Sequence, residues 1–412
     1  MNWWVFYLEG FKKTGLGILN LPSRVASTGV LLSFVFLVFS LALGCFTLES
    51  LNWASEMVKC KSDIHKLSRK LLGQWADTLF QISIILISVG ASVCNIISAS
   101  QFMLVAYQYF SGHEHEKADP FTGMMVRLVV GILVSMSFYF KELTSLRYVS
   151  FLSLFLLSYL VVVMIGEAPD YINSEQINHD YHWVSFNFNL EGIYRVNAAF
   201  PTFTYAFLNQ ANILPIKEEL RDRTQEKVSR IILWAELASS GFFLAVMYVG
   251  YFSLGQNCPE LIFSRPSITK GDYFLKIGMI LYGFYLLTCV PLIMLPTKIA
   301  ITRMIHWKRD NNWHQAIIGT FLAIVVLLIS VFFSNISGVL NIIAGVFATY
   351  IGVTGPGLIF IAAYHKYSKS RKGFLFWGAA FTCTLVTVLG LGSTIISIYV
   401  AFFPFPNKLS LE

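Results

Sequence analysis

Two lysines, a Gly-Leu-Gly triplet and a Leu-Pro pair follow one another near the N-terminus, in the stretch GFKKTGLGILNLPSR of residues 10–24. Gly15 and Gly17 each lower helix stability by about 1 kcal/mol relative to alanine, and they let a ligand approach bare backbone. A helix that starts at Trp3-Trp4 would bring this triplet near the middle of a bilayer. We therefore predict an interrupted helix whose freed backbone groups bind a ligand. The alternative is a packing notch formed by small residues.

A second stretch with similar features occupies residues 197–220, NAAFPTFTYAFLNQANILPIKEEL. It holds Pro201, and then Asn209, Gln210 and Asn212 stand in an otherwise apolar run that also ends at a Leu-Pro pair. Two interrupted hydrophobic segments in corresponding halves of a chain are typical of the substrate site of a transporter. We predict that the first and sixth helices are both broken.

The chain around these stretches has the composition of a membrane protein. It is 412 residues long, 56% hydrophobic and only 13% charged, which is too apolar for a soluble surface. Many of its apolar runs reach the roughly 20 residues that span a bilayer. We predict an all-α polytopic membrane protein with eleven transmembrane helices, near residues 3–24, 27–54, 78–110, 122–140, 148–167, 193–216, 231–254, 273–300, 315–333, 339–364 and 374–402.

The charges of the connections predict the orientation. Lysine and arginine collect in alternate connections, whereas the stretch EAPDYINSEQINHDYH (167–182) contains neither. The positive-inside rule then places the N-terminus in the cytoplasm. The membrane that holds the protein is expected to be either the plasma membrane or a vacuolar or lysosomal membrane. The net charge of +7 is accounted for by these loops, so no nucleic acid is expected as a partner. No connection is long enough for an extramembrane enzyme domain, and we expect no enzyme activity.

Four ionisable residues fall within the apolar segments. Lys12 or Lys13 could lose its proton in the membrane and occupy the place of a coupling cation, with Glu9 as a partner. The alternative is that both lysines extend toward the cytoplasmic interface. We place Glu236 about one turn into the seventh helix and expect an interfacial partner for it.

The remaining polar residues give weaker signals. The six cysteines show no CxxC pair and no metal-ligand spacing, and the eight histidines fall in loops or at helix ends. We therefore expect no metal, no cofactor and no histidine proton relay. The polar residues of the third helix either line a pathway or form hydrogen bonds between helices; they are Gln81, Asn95, Ser98 and Gln101.

The two interrupted stretches carry a family resemblance. TGLGILNLPSRVASTG (14–29) resembles the G-x-G-(I/V)-L-x-L-P opening of the amino acid/auxin permease family, and YAFLNQANILPIKEELRDRT (205–224) resembles its L-P-I-x-x-E-L motif. Weaker likeness in the same order extends over nearly the whole chain, as in VPLIMLP (290–296) and GVTGPGLIFI (352–361). The family is that of the transmembrane neutral amino acid transporters.

The resemblance implies the five-plus-five inverted repeat of the leucine-type transporters. Helices 1–5 would form one repeat over residues 1–167 and helices 6–10 the second over 191–365, with an eleventh helix at 374–402. In that family the carboxylate and the amine of the amino acid contact backbone at the breaks of helices 1 and 6. The substrate-binding residues implied here are Thr14, Gly15, Leu16, Gly17, Phe203, Thr204, Tyr205, Phe207 and Asn209.

The chain departs from the sodium-coupled members of the family at two places. Phe11, Lys12 and Lys13 stand where those relatives carry an asparagine, and Cys289 adjoins Val290-Pro291 where they carry threonine or serine, with Thr288 one residue further. We therefore expect a proton or another cation rather than sodium as the coupling ion. Lys12, Lys13, Thr288 and Cys289 are the candidates for that role.

The resulting prediction is a single-domain symporter that moves small amino acids by alternating access around a midplane site. We expect it to work as a monomer in the lipid bilayer. One alternative is an amino-acid sensor on the same fold, without transport, because a sensor needs the same site. The other is a channel, although two broken helices in one asymmetric chain do not suggest a pore-lining ring.

Overall fold

In the computed structural model of the chain, all regular secondary structure among the described residues is helical. The described residues are 18–59, 64–112, 119–135, 138, 146–174, 177, 180–185, 190–210, 213–214, 217, 220, 224–259, 261–262, 265, 273–307, 311–332, 344–367, 377–378, 380–382, 384–388, 391–392, 395 and 399.

Except for α3 (Ile64–Leu71), which lies in the connection between two predicted apolar segments, the helices follow the predicted segments closely. In chain order they are α1 (18–28), α2 (Val30–Val58), α3 (Ile64–Leu71), α4 (Gln74–Ser111), α5 (Pro120–Ser135), α6 (Leu146–Ile172), α7 (Leu190–Ala206), α8 (Gln225–Leu254), α9 (Tyr273–Met304), α10 (Asn312–Phe332) and α11 (Gly355–Tyr367). Two π-helical turns, Ala344–Ala348 and Tyr350–Thr354, lead into α11. Short helical pieces follow between residues 377 and 392.

Seven helices in the described ranges are long and apolar enough to cross a membrane, and Phe121–Ser135 is a shorter apolar helix. Each of these coincides with a segment that the sequence predicts as transmembrane, so the multi-pass prediction is confirmed. Their outer surfaces carry large exposed apolar side chains such as Phe155, Phe284 and Phe321, which suit contact with lipid. Residues 1–17, which hold the predicted break of the first helix, lie outside the described residues.

The centre of the molecule is formed by α4, the most buried of the long helices, packed along α9. Glycines of α9 permit the close approach of neighbouring helices: a Cβ on Gly278 would lie 2.5 Å from Leu160 Cδ2, and one on Gly283 would lie 3.5 Å from the carbonyl oxygen of Ala99. Helix α2 packs against both α8 and α11. This arrangement places α2 beside the segment that follows α7.

A glycine turn separates α1 from α2. Gly29 has φ +87°, and a Cβ there would lie only 2.7 Å from the backbone nitrogen of Ser185. The backbone of the loop before α7 covers this turn, because Ser185 N–H donates to Thr28 O (3.2 Å) and Val30 N–H donates to His182 O (3.1 Å). The close approach and the positive φ both require glycine.

Candidate functional site

The helix that begins at Leu190 stops abruptly in the interior of the molecule. It ends at Ala206, Phe207–Asn209 are not helical, and helical residues resume at 213–214. Turn-type hydrogen bonds close the end, since Phe207 N–H donates to Thr204 O (3.3 Å) and Leu208 N–H donates to Tyr205 O (3.1 Å). The interruption falls in the stretch where Asn209 and its polar neighbours predict it. We call residues 207–210 the interruption; Asn212 lies outside the described residues.

A small cavity adjoins the interruption. Three elements form its walls: α2, the end of α7 with the interruption, and the π-helical segment before α11. The lining residues are Ser40, Leu43, Gly44, Thr47, Thr204, Phe207, Gln210, Ala348, Gly352 and Val353. A mostly apolar wall with a few polar groups is the usual form of a small-molecule site.

Gln210 connects two of these walls. Its side-chain Nε2 donates a 2.9 Å hydrogen bond to Thr47 Oγ1, and the residue is only 3% exposed. Its Oε1 has no hydrogen-bond partner, and neither does Oγ of Ser40 on the α2 wall. Buried polar atoms are normally paired, so these two oxygens are acceptors available to a donor in the cavity.

The third wall is an irregular helix. Gly352 lies in the second π-helical turn, and a Cβ there would meet Leu208 Cδ1 at 2.9 Å and Gln210 Oε1 at 3.8 Å. Only a residue without a side chain leaves this approach open. Because π-helical turns are rare and occur frequently at functional sites, this wall has the character of a binding surface.

The buried carboxyl group of Glu236 stands next to the cavity. The structure corrects the expectation that it lies one turn into its helix with an interfacial partner, because α8 begins at Gln225 and Glu236 is 1% exposed. The polar residues before the apolar run extend the helix outward, where Glu226 pairs with Arg230 on its exposed surface. Glu236 thereby lies about three turns from the helix start. Its hydrogen-bonding neighbour is Asn209 of the interruption.

The predicted substrate residues of the sixth helix divide into two groups. Thr204 and Phe207 line the cavity, and Asn209 is buried at the interruption with its Oδ1 unpaired. Phe203 packs on Phe36 of α2, with ring centroids 5.8 Å apart, and Tyr205 lies beside Cys94 of α4. Thr14, Gly15, Leu16 and Gly17 lie outside the described residues.

Of the four predicted ion-coupling residues, the structure describes Thr288 and Cys289, and the side chains of these two neighbours have different surroundings. Thr288 is exposed on α9, and its hydroxyl donates to the carbonyl of Tyr285 one turn earlier (2.7 Å). Cys289 is 5% exposed and faces the interior next to Tyr282. Lys12 and Lys13 belong to the residues that the structure does not describe.

Polar residues of α4 are buried away from the lining of this cavity. Gln81 donates from Nε2 to Asp77 Oδ1 (3.0 Å), which is a bond within the helix. Asn95 and Ser98 are buried between helices, and Gln101 is half-buried. None of these four residues lines the cavity.

Sequence reasoning missed the α2 wall. Ser40, Gly44 and Thr47 are separated by four and three residues, so they lie on one face of the helix. Small and hydroxyl residues at this spacing in an otherwise apolar helix were the available signal. Ordinary helix packing produces the same pattern, and only the position of the interruption distinguishes the two.

Comparison with solved structures defines the class of fold. The chain superposes on the structure of MhsT in complex with L-phenylalanine with a TM-score of 0.61 and 13% sequence identity, covering 96% of this chain and 97% of that one. It also superposes on a mutant of the manganese transporter of Eremococcus coleocola with a TM-score of 0.58 and 12% identity, covering 98% of this chain and 88% of that one. The chain therefore shares the overall fold of these two proteins.

The sequence comparisons identify the family. Residues 12–403 match the model of the transmembrane amino acid transporter protein family, and the chain belongs to that family. It is also 22% identical over 403 residues to the sodium-coupled neutral amino acid symporter 2 of Danio rerio, covering 91% of this chain and 77% of that protein. The amino acid/auxin permease resemblance is confirmed, and the family to which the chain belongs is one of transporters, not of enzymes.

Proposed function

We propose that this protein is a secondary active transporter of small amino acids that works by alternating access. The observation that carries the proposal is the interruption after Ala206, where the non-helical Phe207 and the polar Gln210 line a cavity and the buried Asn209 lies between them in the chain. Non-helical backbone at membrane depth is tolerated where it lines such a cavity, and this is the form that substrate sites take in secondary transporters.

The chemistry of the cavity lining suits an amino acid. Ser40 Oγ and Gln210 Oε1, which have no hydrogen-bond partner, can both accept hydrogen bonds. Acceptors fit the ammonium group of an amino acid better than its carboxylate. Phe207 and Val353 supply apolar contacts for a short side chain.

The other half of the site is proposed on the sequence. Gly15, Leu16 and Gly17 would form the break of the first helix, with Thr14 beside it. The N–H groups at the start of the helix that follows would then bind the carboxylate of the substrate. The described part of that helix begins at Ile18, where Ile18–Leu21 are fully buried. The N–H groups there would bind the carboxylate of an amino acid, and the acceptors near the interruption would bind the ammonium group of the same molecule.

The proposed architecture has eleven transmembrane helices. Residues 1–167 and 191–365 would form two inverted repeats of five helices, followed by an eleventh helix at 374–402. We propose a cytoplasmic N-terminus, because the basic connections then lie inside. The repeats would move against each other around the fixed site, as in other transporters with broken helices.

The coupling ion is proposed to be a proton or another cation. The Danio rerio relative is sodium-coupled by its name, but Phe11, Lys12 and Lys13 replace the asparagine of sodium-coupled relatives. A lysine at position 12 or 13, or the pair Thr288 and Cys289, would take part in the coupling. The membrane would be either the plasma membrane or a vacuolar or lysosomal membrane.

A test must separate transport from binding alone. The purified chain is reconstituted into proteoliposomes, and uptake of each common radiolabelled amino acid is measured with and without sodium at two pH values. Binding of the same amino acids to the protein in detergent is measured in parallel. Uptake that saturates and is competed by unlabelled substrate supports a transporter. Binding without uptake in either direction would indicate the sensor, and absence of both would overturn the proposed site.

A further inference from the structure

One carboxyl group is enclosed directly behind the cavity wall. Glu236 projects from the middle of α8 and is 1% exposed. A Cβ placed on Gly44 would lie 3.5 Å from Glu236 Oε2 and 3.3 Å from Phe207 Cβ. Gly44 and Phe207 both line the cavity. The carboxyl oxygen is therefore separated from the cavity only by a glycine that has no side chain.

The described surroundings of Glu236 provide no neutralising cation. From α2, the Cys45 thiol lies within electrostatic reach of Glu236, and Glu49 lies one turn further, where it accepts a hydrogen bond from Ser229 Oγ. In the chain after the interruption, Lys217 pairs with Glu56, 2.6 Å away.

Charged groups on α6 and in the first turns of α8 itself do not pair with Glu236 either. On α6, Glu167 pairs with Arg265 from the loop after α8. Glu226, Lys227 and Arg230 belong to the first turns of α8 itself, two to three turns from Glu236. No ion pair to Glu236 is present among the described residues, and its Oε2 has no hydrogen-bond partner.

An ionised carboxylate in such a place is costly, because it has left water without gaining an opposite charge. Protonation removes that cost, whereas contact with water from an open cavity restores the charged form. A group that alternates between these two environments takes up a proton in one and releases it in the other. Alternating access supplies this change of environment at a residue beside the cavity.

Asn209 connects this carboxyl group to the interruption. It is the hydrogen-bonding neighbour of Glu236, and its own Oδ1 has no partner. An ionised carboxylate only accepts hydrogen bonds, so it can use only the NH₂ of the amide. A protonated carboxyl also donates, which makes the Asn209 carbonyl oxygen usable. The hydrogen bonding at the interruption therefore depends on whether Glu236 carries a proton.

We propose that Glu236 is the proton-binding site that couples transport to a pH gradient, with Asn209 as the residue that links it to the interruption. A proton from water on one side of the membrane binds a carboxylate oxygen, and the same proton returns to water on the other side. This inference rests on the proposed transport function, and it goes beyond it by assigning the coupling to a residue of α8.

The decisive variant is Glu236→Gln, which keeps the shape of the side chain but cannot release a proton. In proteoliposomes, the wild type with one coupled proton accumulates substrate about tenfold for each pH unit of gradient, acid outside. For Glu236→Gln we expect the ratio of substrate inside to substrate outside to stay near one under the same gradient. Substrate exchange by Glu236→Gln without a gradient shows that the variant is still active. Glu226→Gln is the matched control, since it removes a carboxylate from the exposed surface of the same helix.

The outcomes separate the inference from the proposed function. If the wild type neither exchanges nor accumulates any amino acid, the proposed function is wrong. If the wild type transports and Glu236→Gln keeps the tenfold response, or if only sodium drives the wild type, the assignment to Glu236 is wrong while transport stands.

A spectroscopic measurement covers the case in which Glu236→Gln does not fold. Infrared difference spectra are recorded for the wild type and for Glu236→Asp, as substrate is added at several pH values. We expect a carboxylic-acid carbonyl band that changes on substrate binding, and its frequency should shift in the aspartate variant. A band that does not differ between the two proteins, or its absence from both, would overturn the proposal.

Discussion

The side-chain amide of Gln210 donates a 2.9 Å hydrogen bond to the hydroxyl of Thr47, which joins the interruption to the middle of α2 across the wall of the cavity. Thr47 is fully buried and in turn donates to the carbonyl of Gly44 (3.1 Å). This bond fixes the direction of the Gln210 side chain, so that its Oε1 points to the site. A change at Thr47 therefore acts on the site in two ways, through this hydrogen bond and through the cavity wall that Thr47 itself lines.

We expect Thr47→Val to lower both stability and affinity. The change leaves the buried Nε2 of Gln210 without an acceptor, which costs about 1–3 kcal/mol. The midpoint of thermal unfolding in detergent should fall, and the KM of uptake should rise because Gln210 is free to turn. Thr78→Val is the control, since the exposed hydroxyl of Thr78 bonds only within its own helix. Equal effects of the two substitutions would contradict the role of this bond.

The space at Gly44 is needed for the cavity. A valine there would bring its Cβ to 3.3 Å from Phe207 Cβ, and its methyl groups would extend into the cavity or toward Glu236. We expect Gly44→Val to reduce substrate binding more than tenfold, a loss of more than about 1.4 kcal/mol. Equilibrium binding in detergent measures this directly.

Gly241→Val provides the comparison for Gly44, because a Cβ on Gly241 meets nothing within 4 Å. It should leave binding unchanged and test whether valine in a membrane helix is harmful by itself. Unchanged binding by Gly44→Val would mean that substrate does not occupy this cavity.

An ion pair ties the loop after α8 to the end of α6. The guanidinium of Arg265 is fully buried, bonds to Glu167 Oε2 and lies 3.8 Å from the centre of the Tyr171 ring. Removing one partner leaves the other charge buried, which destabilises by about 3–5 kcal/mol. We therefore expect Glu167→Gln to lower the free energy of unfolding, and with it the unfolding midpoint, clearly. Glu226→Gln, in an exposed pair with Arg230, should change the free energy of unfolding by about 1 kcal/mol or less. Similar unfolding midpoints for the two variants would show that the Arg265–Glu167 ion pair does not stabilise the protein.

The pattern of the sequence predicts the helices well, because apolar length is a strong signal in a membrane protein. The interruption near Asn209 is equally readable, since side-chain amides and prolines rarely cluster inside an apolar segment unless the helix is broken there. The depth of Glu236 is not readable in the same way. The apolar run starts near residue 231, but the helix starts at Gln225, and only the contacts of α8 with α2 place the carboxyl beside Gly44.

The walls of the cavity depend on tertiary packing. Ser40 on α2 and Gly352 in the π-helical turn lie more than three hundred residues apart in the chain, and no local pattern links them. Their meeting follows from the packing of α2 on the segment that includes α11. Sequence motifs could therefore indicate one side of the site but not the helix that faces it.

The first-helix half of the site is tested by Gly15→Val. A branched side chain restricts the backbone and covers the peptide groups that we propose to bind the carboxylate. We expect uptake to be abolished while expression and membrane insertion are unchanged. Gly123→Val is a suitable control, because a Cβ on Gly123 of α5 meets nothing within 4 Å. Normal uptake by Gly15→Val would exclude a backbone site at that position.

The choice of coupling ion gives the broadest prediction. We expect uptake by the wild type to respond to an imposed pH gradient more strongly than to a sodium gradient. Lysines stand where sodium-coupled relatives carry an asparagine, and a buried carboxyl group without a cation among the described residues stands beside the cavity. The measurement is initial uptake into proteoliposomes under four conditions: each gradient alone, both together and neither. A current that requires sodium and ignores pH would show that sodium is the coupling ion. In that case, Lys12 and Lys13 would extend toward the interface, as their alternative interpretation holds.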